Sequence, residues 1–419
     1  MQTVEVAILG AGAAGLAMSI FAARSLPGRR IVAMDGARQL GAKILASGGG
    51  HCNVSNRLVT PGDFCGSSPK AIRRVLAAFG VEQTMTFFHE IGVELHEGEQ
   101  GKLFPTTNRA RTVLQALLGK VRRQGVELRT EHRVTNLDRA EGLFRITTSA
   151  VRLDARSVVL DTGGMSLPET GSDGSGYVLA QRLGHSLVPP TPALVPFLLE
   201  GDFHTHLAGV SHNVELTVLA EGREPTRIRG PLLWTHFGAS GPAVLEASRY
   251  WHRADLERRR PTVWANFLPG HDFSAAEHKL LDLTAAQPRL FLGNSLAAFL
   301  PARVARAVLV PLGIDGQTRL THLSRDDRRK LIHALLNWPI PVRDTLGYDH
   351  AEVTAGGVPL TEINPATMES RKCPGLYLTG EILDVDGRIG GFNFQWAWSS
   401  AWVAATGIAQ RCSTRADRL

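Results

Sequence analysis

The chain has 419 residues, 43% hydrophobic and 20% charged, values that exclude a disordered polymer and supply enough apolar surface for a sizeable core. Lysine and arginine total 46 against 39 aspartate and glutamate, a formal charge of +7; this suits an acidic partner, but no arm or tail concentrates the excess, and each basic run reads as a solvated helix face. Four cysteines, Cys52, Cys65, Cys373 and Cys412, form no C-x-x-C pair, which argues against a disulfide framework or structural zinc and points to a reducing, cytoplasmic setting.

Residues 3–9 form a short apolar strand that runs into Gly10-Ala11-Gly12-Ala13-Ala14-Gly15. Helix formers follow from Leu16 to Ser25, and residues 30–35 return as a second strand. This is the strand–turn–helix–strand unit of a parallel βαβ. The uncharged stretch from Val6 to Ala23 is rich in Gly and Ala and has no basic lead-in, so it reads as a buried strand and helix rather than a membrane anchor or signal peptide.

Apolar spacing predicts helices over 69–80, 82–91 and 109–123, and strands over 126–130, 143–148 and 157–160. Pro189-Pro190-Thr191-Pro192 punctuates the chain, after which 194–200, 210–219, 226–234 and 262–268 alternate like antiparallel strands. From Ser274 to Trp338 the pattern is helical, with Ser324 a helix start. Strands at 353–360 and 375–379 precede a final helix from Gln395 to Ala409. The simplest organisation is a discontinuous dinucleotide-binding domain, 1–190 plus 346–419. Between its halves lie a β-rich segment, 191–270 with an added strand near 340–345, and a helical segment, 271–345.

Gly10-x-Gly12-x-x-Gly15 sits after a strand and opens a helix, the context in which this spacing binds dinucleotide pyrophosphate. Asp35 lies 20 residues beyond Gly15 at the end of the second strand, where a carboxylate accepts from a ribose hydroxyl. No second such motif follows a strand later on. Near the C-terminus, Gly380-Glu381 through Asp384 closes a strand, and Gly390-Gly391 turns into the last helix. Backbone N–H groups at that helix start suit the negative charge that builds on a reduced isoalloxazine. FAD is therefore expected in preference to NAD as sole cofactor.

The chain also resembles a known flavoprotein family, whose members include a 3-dehydro-bile-acid reductase and the ribosomal RNA dihydrouridine synthase. The residues that carry the resemblance are Lys43 through Asn56, which reads K-x-x-x-SGGG-H-CN-x-SN; Asp161-Thr162-Gly163-Gly164 with Gly171 to Tyr177; Thr235 to Pro242; Thr354 to Val358; and Gly380 through Gln395. It implies an α/β fold in which a Rossmann-type, glutathione-reductase-like FAD domain is interrupted by an inserted β-barrel and a small helical domain. It also implies non-covalent FAD. The expected cofactor contacts are Gly10, Gly12, Ala13, Ala14, Gly15, Asp35, Lys43, Ser47, Gly48, Gly49, Cys52, Asn53, Val134, Thr162, Gly163, Gly164, Gly380, Glu381, Asp384, Gly390, Gly391, Phe392 and Asn393. Two positions depart from the family pattern: His51 stands where Arg is usual, and Asp161 where Ala is common.

Cys52 is a candidate general acid or else a small buried residue, and His51 is a second catalytic candidate. His204, His206 and His212 lack the carboxylate or cysteine companions of a metal site, so no metal is expected. His236 either meets substrate or belongs to a turn. Trp234, Trp264 and Trp338 read as core. The absence of Gly-x-Ser-x-Gly disfavours a serine hydrolase. The favoured reading is an FAD-dependent oxidoreductase, with NAD(P)H as transient co-substrate and electron donor, reducing an activated C=C bond in ribosomal RNA uracil or a small enone. The alternatives are an FAD oxidase of a small amine-type substrate and a non-catalytic FAD-containing RNA-binding protein. No membrane association is expected.

Overall fold

The structure, a computed structural model, describes residues 3–416. The chain divides into two compact units, one running through Thr191 and resuming at Glu352, the other comprising Pro192–Ala351.

The larger unit is organised by a parallel sheet. Its strands are β1 (Thr3–Leu9), β2 (Ile31–Met34), β3 (Glu127–Arg129), β4 (Arg152–Leu160) and β5 (Leu376–Leu378). They lie in the order β3-β2-β1-β4-β5, every neighbouring pair parallel. That order is the doubly wound arrangement in which the chain's direction of progress reverses between β1 and β4. The strands are near-continuous apolar runs because both faces are covered: β2 is buried at every residue, and β1 is buried from Val6 to Leu9. Helix α1 (Ala13–Ser25) is buried from Ala14 to Ala22 and packs along the terminal helix Phe392–Ala416. This explains why it carries no charge before Arg24 in its last turn, since a helix covered on all sides has no face for charge. No helix among the described residues is long and apolar enough to cross a membrane.

An antiparallel meander, Val134–Ala140 and Leu143–Thr148, leads into the first half of β4. The proline-rich stretch is not only punctuation. Val188–Ala193 is a strand paired with Val353–Gly357 in a two-stranded ribbon, where each strand has a free edge and proline's missing N–H is tolerated.

The smaller unit contains a seven-stranded antiparallel sheet in the order Trp338–Ile340, Thr262–Asn266, Ser211–Leu219, Thr226–Trp234, Gly238–Ser240, Phe197–Leu199, Val342–Thr345. Its helices are Pro242–Leu256, Phe273–Ala286, Leu292–Leu296, Ala302–Leu312 and Arg325–Leu336. The last begins at Ser324, whose hydroxyl accepts from the Asp327 N–H at 3.0 Å. The sequence reading divides this region at 270. In the structure one core crosses that point, joining Val214, Leu216, Trp234 and Phe267 to Leu292, Val304, Val308 and Leu331.

Candidate functional site

The glycine-rich turn occupies the carboxyl ends of the central strands. The Gly10 N–H donates to the Met34 carbonyl at 2.8 Å, and the Asp161 N–H donates to the Leu9 carbonyl at 2.8 Å. These two bonds bring the turn after β1, the end of β2 and the residue after β4 together. Gly10 has φ +111°, and a Cβ there would lie 2.2 Å from the Asp161 carbonyl oxygen, so no side chain fits. A Cβ on Gly15 would lie 2.0 Å from the Gly10 carbonyl oxygen, whereas one on Gly12 would meet nothing within 4 Å. Two glycines thus close the turn against protein, and the third leaves its outer side open. Gly12 caps α1 without a side-chain bond, which leaves the positive end of the helix available to an anion.

Asp35 lies at the end of β2, where the sequence places it. Its carboxylate accepts from the Ala11 N–H at 2.7 Å and the Ala37 N–H at 2.8 Å. Both bonds orient it toward the turn and leave lone pairs for a further donor. Val134 lies two residues beyond His132, whose N–H donates to the Asp35 carbonyl at 2.8 Å.

Lys43 and Glu381, 338 residues apart, form a partly buried ion pair at 2.8 Å. Lys43 also donates to Ser166 Oγ at 2.8 Å and Ser172 Oγ at 3.0 Å. The other Glu381 oxygen accepts from Ser166 Oγ at 2.8 Å and the Thr354 N–H at 2.9 Å. Thr354 Oγ1 in turn accepts from the Met165 N–H at 2.7 Å. Gly164 packs within this group: a Cβ there would lie 2.4 Å from Thr354 Oγ1. Each hydrogen bond involving a charged group contributes about 1.5–3 kcal/mol. Ser166, Ser172 and Thr354 were not among the expected contacts, although Ser172 and Thr354 lie inside quoted motif blocks. Ser166 carried no sequence signal, because only folding brings it to Lys43.

The loop after Lys43 is left-handed at Gly48 (φ 56°), Gly49 (φ 64°) and Gly50 (φ 89°), and again at Cys52 (φ 60°). For a non-glycine residue that conformation costs about 1–2 kcal/mol. The Cys52 N–H donates to the Ser47 carbonyl at 3.1 Å, closing the loop. Burial pushes the Cys52 thiol up to about 12, with an opposing hydrogen bond to Ser47. The side chain is 0% exposed, so it is a protonated thiol at neutral pH rather than a nucleophile. His51 faces outward, and its Nδ1 lies 2.8 Å from the Asn108 carbonyl oxygen.

The C-terminal turn meets this loop from the other side. A Cβ on Gly391 would lie 2.4 Å from the Ser55 carbonyl oxygen and 2.8 Å from Asn53 Oδ1. Gly380 is held by its own N–H, which donates to Ser400 Oγ at 3.0 Å, and by its carbonyl, which accepts from Trp396 Nε1 at 3.1 Å. A Cβ on Gly380 would lie 2.9 Å from the Ala14 Cβ, so this turn touches the start of α1.

The expected residues therefore form a continuous belt. It runs from Asp35, Gly10, Gly12, Ala13, Ala14 and Gly15 through Gly380 and Glu381 to Lys43, then through Ser47, Gly48, Gly49, Cys52 and Asn53 to Gly390 and Gly391. Thr162 and Gly163 lie beside it, where a Cβ on Gly163 would be 2.6 Å from Ser172 Oγ. Some expected residues are engaged elsewhere. Asn393 bonds both amide atoms to the Gly387 backbone, at 2.7 and 3.0 Å. The Phe392 ring packs edge-on against Phe64 at 6.1 Å, and Asp384 is buried, its N–H donating to the Val358 carbonyl.

The smaller unit's histidines form a different picture. Trp234 Nε1 donates to His212 Nε2 at 3.1 Å, and burial pushes His212 down to about 4. No group of three or more His, Cys, Asp or Glu among the described residues is placed to hold a metal ion. His236 is exposed in a turn closed by Thr235 and Gly238.

Comparison with known proteins agrees with this geometry. The model of the HI0933-like protein Rossmann domain matches residues 4–407. The ribosomal RNA dihydrouridine synthase of Escherichia coli K12 is 36% identical over 408 residues, 97% of this chain and 98% of that protein. The 3-dehydro-bile acid delta(4,6)-reductase of Clostridium scindens is 33% identical over 407 residues, 97% of this chain and 99% of that protein. Among solved structures, a quinol-fumarate reductase with menaquinol molecules is similar in fold. It has a TM-score of 0.53 and 18% identity, covering 99% of this chain and 72% of that one. The 3-ketosteroid delta1-dehydrogenase of Sterolibacterium denitrificans has a TM-score of 0.50 and 12% identity, covering 98% and 100%. With a Rossmann sheet, a glycine turn at its switch point and full-length relatives at these identities, the chain belongs to the HI0933-like family and is a flavin-dependent oxidoreductase.

Proposed function

We propose that the chain binds FAD non-covalently along the belt and uses NAD(P)H to reduce an activated C=C bond, in a uracil of ribosomal RNA or in a small conjugated enone. The observation that carries the reading is the belt itself, which joins the Asp35 turn to the Gly390-Gly391 turn through side chains drawn from both halves of the discontinuous unit. The residues fit such a group. The outer side of Gly12 is open, and Asn53 Oδ1 and Thr162 Oγ1 are buried beside the belt with no hydrogen-bond partner, a costly state that a bound polar ligand relieves.

FAD held there would supply two-electron hydride chemistry between the nicotinamide and the substrate. The chain's part is to bind and orient. The α1 N-terminus takes the diphosphate, and Asp35 takes a ribose hydroxyl. The Lys43–Glu381 cluster sets the spacing between the opening turn and the glycine loop. Cys52 keeps its proton at neutral pH; fully buried and pushed up to about 12, it fits the small buried residue of its two readings better than the proton donor. The uracil substrate is favoured by the +7 charge and by the name of the Escherichia coli relative. The enone is favoured by the name of the Clostridium scindens relative.

The test is anaerobic. The holoprotein is mixed with NADH or NADPH, flavin bleaching is followed, and ribosomal RNA lacking dihydrouridine or a 4-en-3-one steroid is then added. Bleaching by a nicotinamide and recovery on one acceptor is the expected result. Bleaching by an amine donor alone would establish the oxidase. RNA binding without any flavin turnover would establish the binding protein.

A further inference from the structure

Asp161 is the first residue after β4, at the point where the sheet reverses direction. Its backbone forms the floor against which Gly10 packs, and its side chain lies under the opening turn. A Cβ on Gly15 would be 3.4 Å from the Asp161 Cβ, and a Cβ on Gly380 would be 3.9 Å from Asp161 Oδ1. The carboxyl is thus enclosed by the first turn of α1 on one side and the Gly380 turn on the other. The residue is 6% exposed. Oδ1 accepts from the Thr379 hydroxyl, while Oδ2 is buried with no hydrogen-bond partner.

Among the described residues no charged side chain offsets it. The charged groups on the surrounding elements are committed elsewhere or lie at a distant end, and the nearby titratable hydroxyls are those of the buried Tyr177 and Tyr377. Glu381, on the Gly380 turn, is bonded to Lys43, Ser166 and Thr354. Asp35, at the end of β2, is bonded to the Ala11 and Ala37 N–H groups. Glu5 at the start of β1 pairs with Arg29 and Arg156, and Asp154 on β4 pairs with Arg145. Arg24 in the last turn of α1 pairs with Glu90, and Arg411 of the terminal helix pairs with Glu369.

A carboxylate here competes with a diphosphate for the same positive helix end. The two anions repel through a medium of low effective dielectric, so occupation of the turn favours the neutral acid. We propose that Asp161 is a proton-operated control on dinucleotide binding: the turn holds FAD tightly while Asp161 is protonated and weakly once it ionises. The inference rests on the FAD reading above and adds a pH dependence to it. Burial already lifts the free carboxyl to about 7, against the pull of the Thr379 hydroxyl, which places the control in the physiological range. The sign follows from linkage. Binding raises the Asp161 pKa above its free value, so affinity is constant below about pH 7, and above it the site takes up a proton from solvent with each dinucleotide bound.

The test is an FAD titration of the flavin-stripped full-length chain, followed by flavin fluorescence from about pH 6 to 9. The wild-type Kd is expected to be flat below about pH 7 and to rise toward tenfold per pH unit above it. Asp161→Asn keeps the shape, removes the charge, and is expected to bind with a Kd independent of pH. Calorimetry of wild-type binding at about pH 8, in two buffers of different ionisation enthalpy, reads the proton directly and needs no variant. A flat wild-type profile, absent proton uptake, or an unchanged slope in Asp161→Asn would each overturn the role of Asp161 while leaving the FAD reading intact. No FAD binding at any pH overturns both.

Discussion

Two polar clusters in the larger unit are built from nearly the same parts and differ in what surrounds them. Glu381 meets Lys43, Ser166 and the Thr354 N–H. Glu362 meets Lys372 at 2.7 Å, the Ser186 hydroxyl at 2.7 Å and His185 at 2.8 Å. The second cluster also contains the geometry of a nucleophile triad, since His185 Nε2 lies 2.8 Å from Ser370 Oγ. Yet Ser370 already accepts from the Lys372 and Cys373 N–H groups and is 5% exposed, so no substrate carbonyl reaches it. This cluster joins the end of Ser175–Arg182 to the 360–373 segment and is finished as built. The first lies at the carboxyl ends of parallel strands, beside Gly164 and the glycine loop. Similar polar chemistry therefore fastens two chain segments together in one place and lies beside the glycine turns in the other, and position relative to the carboxyl ends of the parallel strands decides which.

The sharpest way to break that contrast is a matched pair of variants. Glu381→Gln is expected to weaken FAD retention by tenfold or more, together with about 1–3 kcal/mol of stability. Glu362→Gln is expected to cost similar stability and leave FAD affinity unchanged; equal flavin loss in both would erase the distinction. Within the belt, Asp35→Ala is expected to raise the Kd for FAD about tenfold, the value of one to two hydrogen bonds. Cys52→Ala is expected to spare both the Kd and the rate of substrate-dependent flavin reoxidation, as a small buried residue would; slowed reoxidation with the Kd unchanged would make Cys52 the proton donor after all.

Acid stability sharpens the comparison from the other side. Burial opposes ionisation of Glu362, but bonds from Lys372, Ser186 and His185 outweigh it and bring the carboxyl to about 2, from an ordinary 4.5. Its folded value is depressed, so its stabilising contribution is fully present above about 4.5 and is lost as the pH falls toward about 2. Thermal denaturation across that window should show a smaller acid loss in Glu362→Gln than in wild type. The smallest effect is expected in the other unit, where Ser324→Ala removes one helix cap. A loss of about 1 kcal/mol by denaturant titration, with no change in flavin binding, is the outcome.

Much of the site was legible from local pattern. Gly10, Gly12, Gly15 and Asp35 announce themselves because the turn, helix start and strand end are consecutive in the chain. Gly48, Gly49, Gly380 and Gly391 are legible because left-handed or crowded backbone demands glycine. Less legible were partners that meet only in three dimensions. Ser166 carries no local signal, Thr354 lies in a motif block that does not reveal its partner, and the unpartnered oxygen of Asp161 exists only because β1, β4 and the Gly380 turn converge. Asn393 sits in the expected motif, and its amide closes a loop onto Gly387, which local order does not reveal. The proline-rich stretch marks the boundary between the two units, as read, and is in addition a strand, because proline is tolerated where a strand edge needs no donor.

By itself the sequence determined the βαβ unit, the glycine turn that opens α1 and the glycine positions, because each follows from hydrophobic period and backbone sterics within a few tens of residues. The tertiary structure alone decided which carboxylates lie beside the glycine turns, which are fastened elsewhere and which keeps one oxygen without a hydrogen-bond partner. That decision is made by burial and by contacts between residues hundreds of positions apart, and neither is encoded in local order.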